Sequence, residues 1–110
     1  MKLPNAQSAV VDFQKLRDYC LSTTHPRGRH KARVFQSSLG LTAADAEELR
    51  AALLAAARTD EAIATDADDF GQRYVVDFTL SRAERTARIR SSWIVRVGED
   101  IPRLTSCFVM

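Results

Sequence analysis

The stretch that decides the fold is Arg73–Leu80, RYVVDFTL. Tyr74, Val76, Phe78 and Leu80 alternate there with Arg73, Val75, Asp77 and Thr79, the period of two expected of a strand with one apolar face. The chain downstream repeats the pattern. After a polar turn at Ser81–Arg85, Ala87, Ile89, Ser91, Trp93, Val95 and Val97 fall on one face. Arg88, Arg90, Ser92, Ile94 and Arg96 take the other, so this register points Trp93 at the core and the arginines away from it. Gly98–Asp100 makes the next turn. Ile101–Met110 is a further strand, in which Arg103, Thr105, Cys107 and Val109 are expected to share a face. Consecutive strands with short links predict an antiparallel meander.

Upstream of this stretch the apolar period is helical. Ala43–Arg58 is rich in Ala, Leu and Glu, with Leu49, Leu53 and Ala56 on one face. Thr42–Asp45 is a T-x-x-D pattern close to a capping box. Asp12 is placed to cap an earlier helix running to about Leu21, with Phe13, Leu16 and Cys20 at helical spacing. Thr59–Gly71 reads as an acidic linker carrying Asp60, Glu61, Asp66, Asp68 and Asp69, with Ile63 in at most a short strand. Such a charge run is either a solvated loop or a contact for the cations described below. Helices followed by strands predict an α+β fold, N-terminal helices packed on a C-terminal antiparallel meander of three to four strands.

A chain of 110 residues predicts one domain, and its 45% hydrophobic and 27% charged residues are those of a globular protein. The net charge of +2 gives no global nucleic-acid signature, so basic character is local. Cys20 and Cys107 have no metal-ligand spacing and are too few for a disulfide framework. With no secretory leader and no apolar run of membrane-spanning length, the expected location is the cytoplasm.

The local basic character is concentrated in His25–Arg33, HPRGRHKAR, which holds both histidines and no acid. Pro26 and Gly28 mark a turn. A short helix follows, ending at Leu39 with Gly40 as its stop. Arg29, His30 and Lys31 then sit at the helix start, where cations oppose the macrodipole and free amides face outward. That combination favours an anion. The alternative is that the cations are solvated or paired with acids such as Asp66, Asp68 and Asp69.

No zinc spacing, phosphate-cradling Gly-rich loop or G-x-S-x-G elbow is present. Cations, two histidines and the strand hydroxyls Ser91, Ser92, Thr105 and Ser106 suit cleavage of RNA without a metal or other cofactor. A base takes the 2′-hydroxyl proton, cations stabilise charge on phosphorus, and an acid protonates the departing 5′-oxygen.

VDFQKLRDYCL, then HPRGRHKARVF with LGL behind it, SSWIV and PRLTSCFV, resembles a family of small bacterial domains of unknown function. The most specific parts are K-L-x-x-Y, H-P-x-G-x-x-K-A and P-R-L-T-S. These domains look like members of the barnase–EndoU–colicin–RelE group of ribonuclease toxins, a helical part followed by an antiparallel sheet. The resemblance implies an endoribonuclease acting on RNA, neutralised by a small cognate antitoxin protein. It implies His25 as the base, Lys31 and Arg103 as phosphate ligands and Thr105 as a hydrogen-bond partner of the substrate. Arg27, Arg29, His30, Arg90 and Ser92 follow as further substrate contacts.

Overall fold

The computed structural model describes residues 1–110. A short 3-10 turn (Ala6–Ser8) precedes α1, which starts as one α-helical turn (Phe13–Lys15) and continues as a π-helix (Leu16–Cys20). Then come α2 (Arg29–Leu39), a 3-10 turn (Ala43–Asp45) and α3 (Ala46–Thr59). The second half is a sheet of β1 (Ala62–Asp68), β2 (Gly71–Arg82), β3 (Arg85–Arg96) and β4 (Pro102–Val109), antiparallel throughout and ordered β1-β2-β3-β4. No helix is long and apolar enough to cross a membrane.

The expected caps form. The Asp12 carboxylate accepts the Lys15 amide at 3.2 Å. The Thr42 amide donates to the Asp45 carboxylate at 2.9 Å, closing the capping box ahead of α3. Leu49, Leu53, Ala56 and Ala57 of α3 are buried. Together with Leu16, Phe35 and Leu39 they form the core with Val76, Phe78, Ile89, Trp93, Leu104 and Cys107 of the sheet. Trp93 is fully buried, and its indole N–H donates to Ser91 Oγ at 2.9 Å. Ser91 donates in turn to Val76 O at 2.7 Å. Ser91 is therefore a core group and is withdrawn from the set of reactive hydroxyls.

Three expectations need correction. The acidic linker is largely a strand: β1 pairs with β2 from Ala62↔Val76 to Asp68↔Gly71. Its period is obscured by a bulge between Ala64 and Ala67, whose carbonyls at Thr65 and Asp66 accept from the Gln72 amide. As the edge strand opposite β4, β1 is remote from α2, and the only pairing made by its aspartates is that of Asp68 with Arg73. Second, Arg103, Thr105, Cys107 and Val109 do not share a face. A register shift at Ser92/Trp93 leaves Thr105 as the extra residue, so Arg103 lies opposite Ile94 while Cys107 lies opposite the buried Ser91. A bulge changes which parity faces the core. Third, α1 is half π-helix, with the Leu21 amide donating to Leu16 O at 2.8 Å.

The N-terminal lead-in is structural. Leu3 and Val11 are buried. Val10 forms a parallel bridge to Arg103 on the outer side of β4, with Val10 N donating to Pro102 O at 2.9 Å and Leu104 N to Val10 O at 3.0 Å. Arg82, at the end of β2, joins the helices to the sheet: it donates to Leu39 O and Gly40 O at 3.1 Å each and pairs with Asp45 and Glu48.

Candidate nucleic-acid interface

The turn before α2 is built around His25. Its Nδ1 accepts the amides of Arg27 at 3.1 Å and Gly28 at 3.2 Å, and its carbonyl accepts the Arg29 amide at 3.0 Å. The imidazole thus caps the Pro26–Gly28 turn that leads into α2, whose own N-cap, Gly28, has no side-chain cap. Of the helix-start amides that the sequence offers to an anion, only that of Arg29 is taken, by the His25 carbonyl; the ring nitrogen satisfies the Arg27 and Gly28 amides ahead of them. With Nδ1 accepting, the neutral ring carries its proton on Nε2. In that form the remaining nitrogen is a hydrogen-bond donor. Tyr19 packs edge-on against the ring, centroids 4.6 Å apart. Gly28 lies so close to α1 that a Cβ there would stand 2.3 Å from Tyr19 O, closer than any side chain is accommodated. K-L-x-x-Y and H-P-x-G are thus two halves of one joint.

The cations beside this joint remain free of acids. None of Lys15, Arg27, Arg29, Lys31, Arg33 or Arg96 takes part in a salt bridge. Arg29 does donate to Pro26 O at 3.0 Å. His30 is exposed, on the side of α2 away from the buried Ala32. Lys31 reaches in the other direction, its Nζ 4.7 Å from the centre of the Phe108 ring on β4.

Phe108 opens onto the sheet face opposite the helices. Rows of facing residues cross it: Asp77, Arg90 and Phe108; Val75, Ser92 and Ser106; Arg73, Ile94 and Arg103. The core draws on the other face, leaving Val75 and Ile94 outside it. Arg90 forks onto Asp77 at 2.8 and 2.9 Å, and this pairing lowers the Asp77 pKa. Thr105 Oγ1 donates to Ser92 O at 3.1 Å, closing the bulge. The fold therefore gathers Lys31, Arg90, Ser92 and Thr105 along one side of the sheet.

Arg103 stands apart from that group. Across the Thr105 bulge it lies four rungs of the β3–β4 ladder from Phe108, roughly 13 Å, too far for one phosphate to contact both positions. Its guanidinium forks onto Glu99 at 3.1 and 3.2 Å, which raises the arginine pKa and lowers that of the carboxylate. It lines a recess of about 240 Å³ with Val10, Asp12, Lys15, Arg96 and Leu104. Lys15 and Arg96 were not read from sequence as site residues. Only the Val10 bridge brings α1 to this end of β4, and that pairing has no local signal.

Cys20 and Cys107 are buried free thiols. The Cys107 pKa is pushed well up, first by hydrogen bonding with Cys20 and then by burial, which suits packing and not nucleophilic attack. No group of three or more His, Cys, Asp or Glu side chains is arranged to hold a metal ion.

Fold and site together define a small α+β domain with a cationic edge, in which the sharpest sequence motifs are joints and the cations lie around them. The chain belongs to the family described as Domain of unknown function (DUF6883), which matches residues 2–110. No curated protein is similar enough to match it.

Proposed function

We propose that the protein acts on RNA as a small metal-free endoribonuclease of the toxin type, held in check by a small cognate antitoxin protein. One observation carries the RNA reading: charge is segregated across the sheet. The unpaired Arg27, Arg29, Lys31 and Arg33 lie on α2 and the turn before it with no acid among them, while Asp60, Glu61, Asp66, Asp68 and Asp69 lie at or beside β1, the edge strand opposite β4. At a net charge of only +2 this gives a polyanion one side to approach. Lys31, Arg90, Ser92 and Thr105 supply phosphate and hydroxyl contacts there, with Arg27, Arg29 and His30 flanking. His25 contributes a hydrogen bond to phosphate through Nε2–H. The likeness to ribonuclease toxins supplies the cleavage reading and the antitoxin.

A second reading is favoured by the same histidine. With Nδ1 engaged, neutral His25 has no nitrogen free to accept a proton, which leaves the exposed His30 as the one histidine able to act as a base and otherwise suits a module that binds RNA and does not cut it. The two readings separate by incubating the protein with single-stranded RNA in the presence of a chelator. Cleavage leaving 2′,3′-cyclic phosphate ends is expected for the enzyme; retained, intact RNA is expected for the module. In either case Lys31→Ala should weaken binding and lower the salt slope by about one phosphate contact. RNA affinity that is absent, or insensitive to salt, defeats both. Growth arrest on expression, relieved by co-expressing a small protein encoded beside it, is the expected sign of the toxin.

A further inference from the structure

The recess at the Val10 bridge uses residues that the reading above does not need. Lys15, from α1, and Arg96, from the end of β3, have no ion-pair partner and line the same small space as Arg103. Two of the acids near them are already engaged, while Asp69 and Asp100, in the flanking turns, make no salt bridge. Asp12 caps α1 through the Lys15 amide. Glu99 fills the guanidinium fork of Arg103 with both oxygens, and the pair is only about two-thirds buried, at 31% and 34% side-chain exposure. A planar, two-oxygen anion thus already sits on Arg103, in the geometry that a phosphate would use. Glu99 lies in the β3–β4 turn, its amide donating to Arg96 O at 2.9 Å.

The same end of the sheet exposes an aromatic ring. Phe70, in the β1–β2 turn, is 71% exposed, beside Val97 at 72%. The two are tied by a hydrogen bond from Val97 N to Phe70 O at 3.0 Å. The next residue, Gly71, lies directly opposite Arg96. A Cβ at Gly71 would fall 2.1 Å from Val95 O, so glycine is what lets the Phe70 turn lie this close to β3. Arg96 lines the recess and the exposed ring adjoins its strand partner, so this arginine links a base platform to a phosphate site lined by three cations.

We propose that Lys15, Arg96 and Arg103 form a subsite for one phosphate of single-stranded RNA, with the adjoining base against Phe70 and Glu99 acting as a latch that the phosphate displaces. The proposal rests on the RNA reading for its ligand but on separate residues for its site. It sets a minimum footprint. Arg103 lies roughly 13 Å along the β3–β4 ladder from Phe108, so one strand occupying both runs along the β4 edge.

The test is an NMR titration of the whole protein, following the Nε–H signals of Arg96 and Arg103, with adenosine 5′-monophosphate and with inorganic phosphate as probes. Both probes should move both signals, and the nucleotide should bind about fivefold or more tightly than phosphate, as one base–aromatic stack allows. Phe70→Ala should abolish that advantage and leave phosphate binding unchanged. Glu99→Gln should tighten both probes by roughly threefold, because the competing carboxylate charge is gone. Arginine signals that stay still at millimolar probe, equal affinity for the two probes, or no gain in Glu99→Gln would each overturn the subsite. Lys15→Gln combined with Arg96→Gln separates this proposal from the RNA reading. Undiminished RNA affinity in that double variant overturns the subsite alone. Failure of the wild type to bind RNA, while the nucleotide still moves both signals, upholds a nucleotide site and removes RNA as its ligand.

Discussion

At the scale of single residues, His25 is the informative position, because two roles for it make opposite demands. As a cap it needs only an acceptor at Nδ1; as a chemical group it needs the ring. His25→Ala should cost about 1 kcal/mol, the usual worth of a lost side-chain cap, read by denaturant unfolding. His25→Asn keeps an acceptor able to reach amides two and three residues on and should recover most of that loss. If Asn restores stability but not RNA cleavage, the ring is chemical as well as structural. If Ala leaves stability unchanged, the capping role is wrong. The importance of HPRG was legible in the sequence, and its reason was not. Proline and glycine announce a turn, but that Nδ1 would face inward and Gly28 would meet Tyr19 O depends on α1 arriving there. Lys15 and Arg96 were missed for the same cause: each is an ordinary surface cation until the Val10 bridge brings α1 to the end of the sheet.

At the scale of elements, long periodic segments were read correctly and irregular ones were not. α2, α3 and the three strands β2, β3 and β4 lie where their periods put them, within one to three residues at most ends. α3 is scaffold, and Leu53→Ala should cost about 2–5 kcal/mol, since its side chain is fully buried against the sheet; a change under about 0.5 kcal/mol in a denaturant titration would mean the helix turns another face inward. β1 was hidden because alternating alanine and aspartate carry little strand signal, and its bulge breaks what alternation there is. The bulge at Thr105 explains the other failure. The apolar pattern of β4 is regular on either side of it, but the two halves are out of phase, and no residue type announces the slip. The π-helix in α1 is equally silent, since five-residue hydrogen bonding has no distinct apolar period.

At the scale of the whole molecule, paired carboxylates hold the sheet's surface. Asp68 is lowered first by the Phe70 amide and then by Arg73, Asp77 by Arg90 and Glu99 by Arg103. Each folded pKa lies below its unfolded value. The stability they contribute is therefore complete above the ordinary carboxylate range, near pH 4, and is lost as pH falls through the lower folded values. The melting temperature should change little through this group between pH 7 and pH 5 and fall by pH 3, and Asp77→Asn should show a shallower fall. Equal melting temperatures at pH 5 and pH 3 would contradict the assignment. The Val10–Arg103 bridge has a consequence of another kind, in time. It joins positions 93 residues apart, a contact that cannot close before β4 has been made. Until β4 has left the exit tunnel, the lead-in has no strand to join, Lys15 has no Arg103 beside it, and the recess does not exist. However complete the helical half of a nascent chain, this site waits for the fourth strand to emerge.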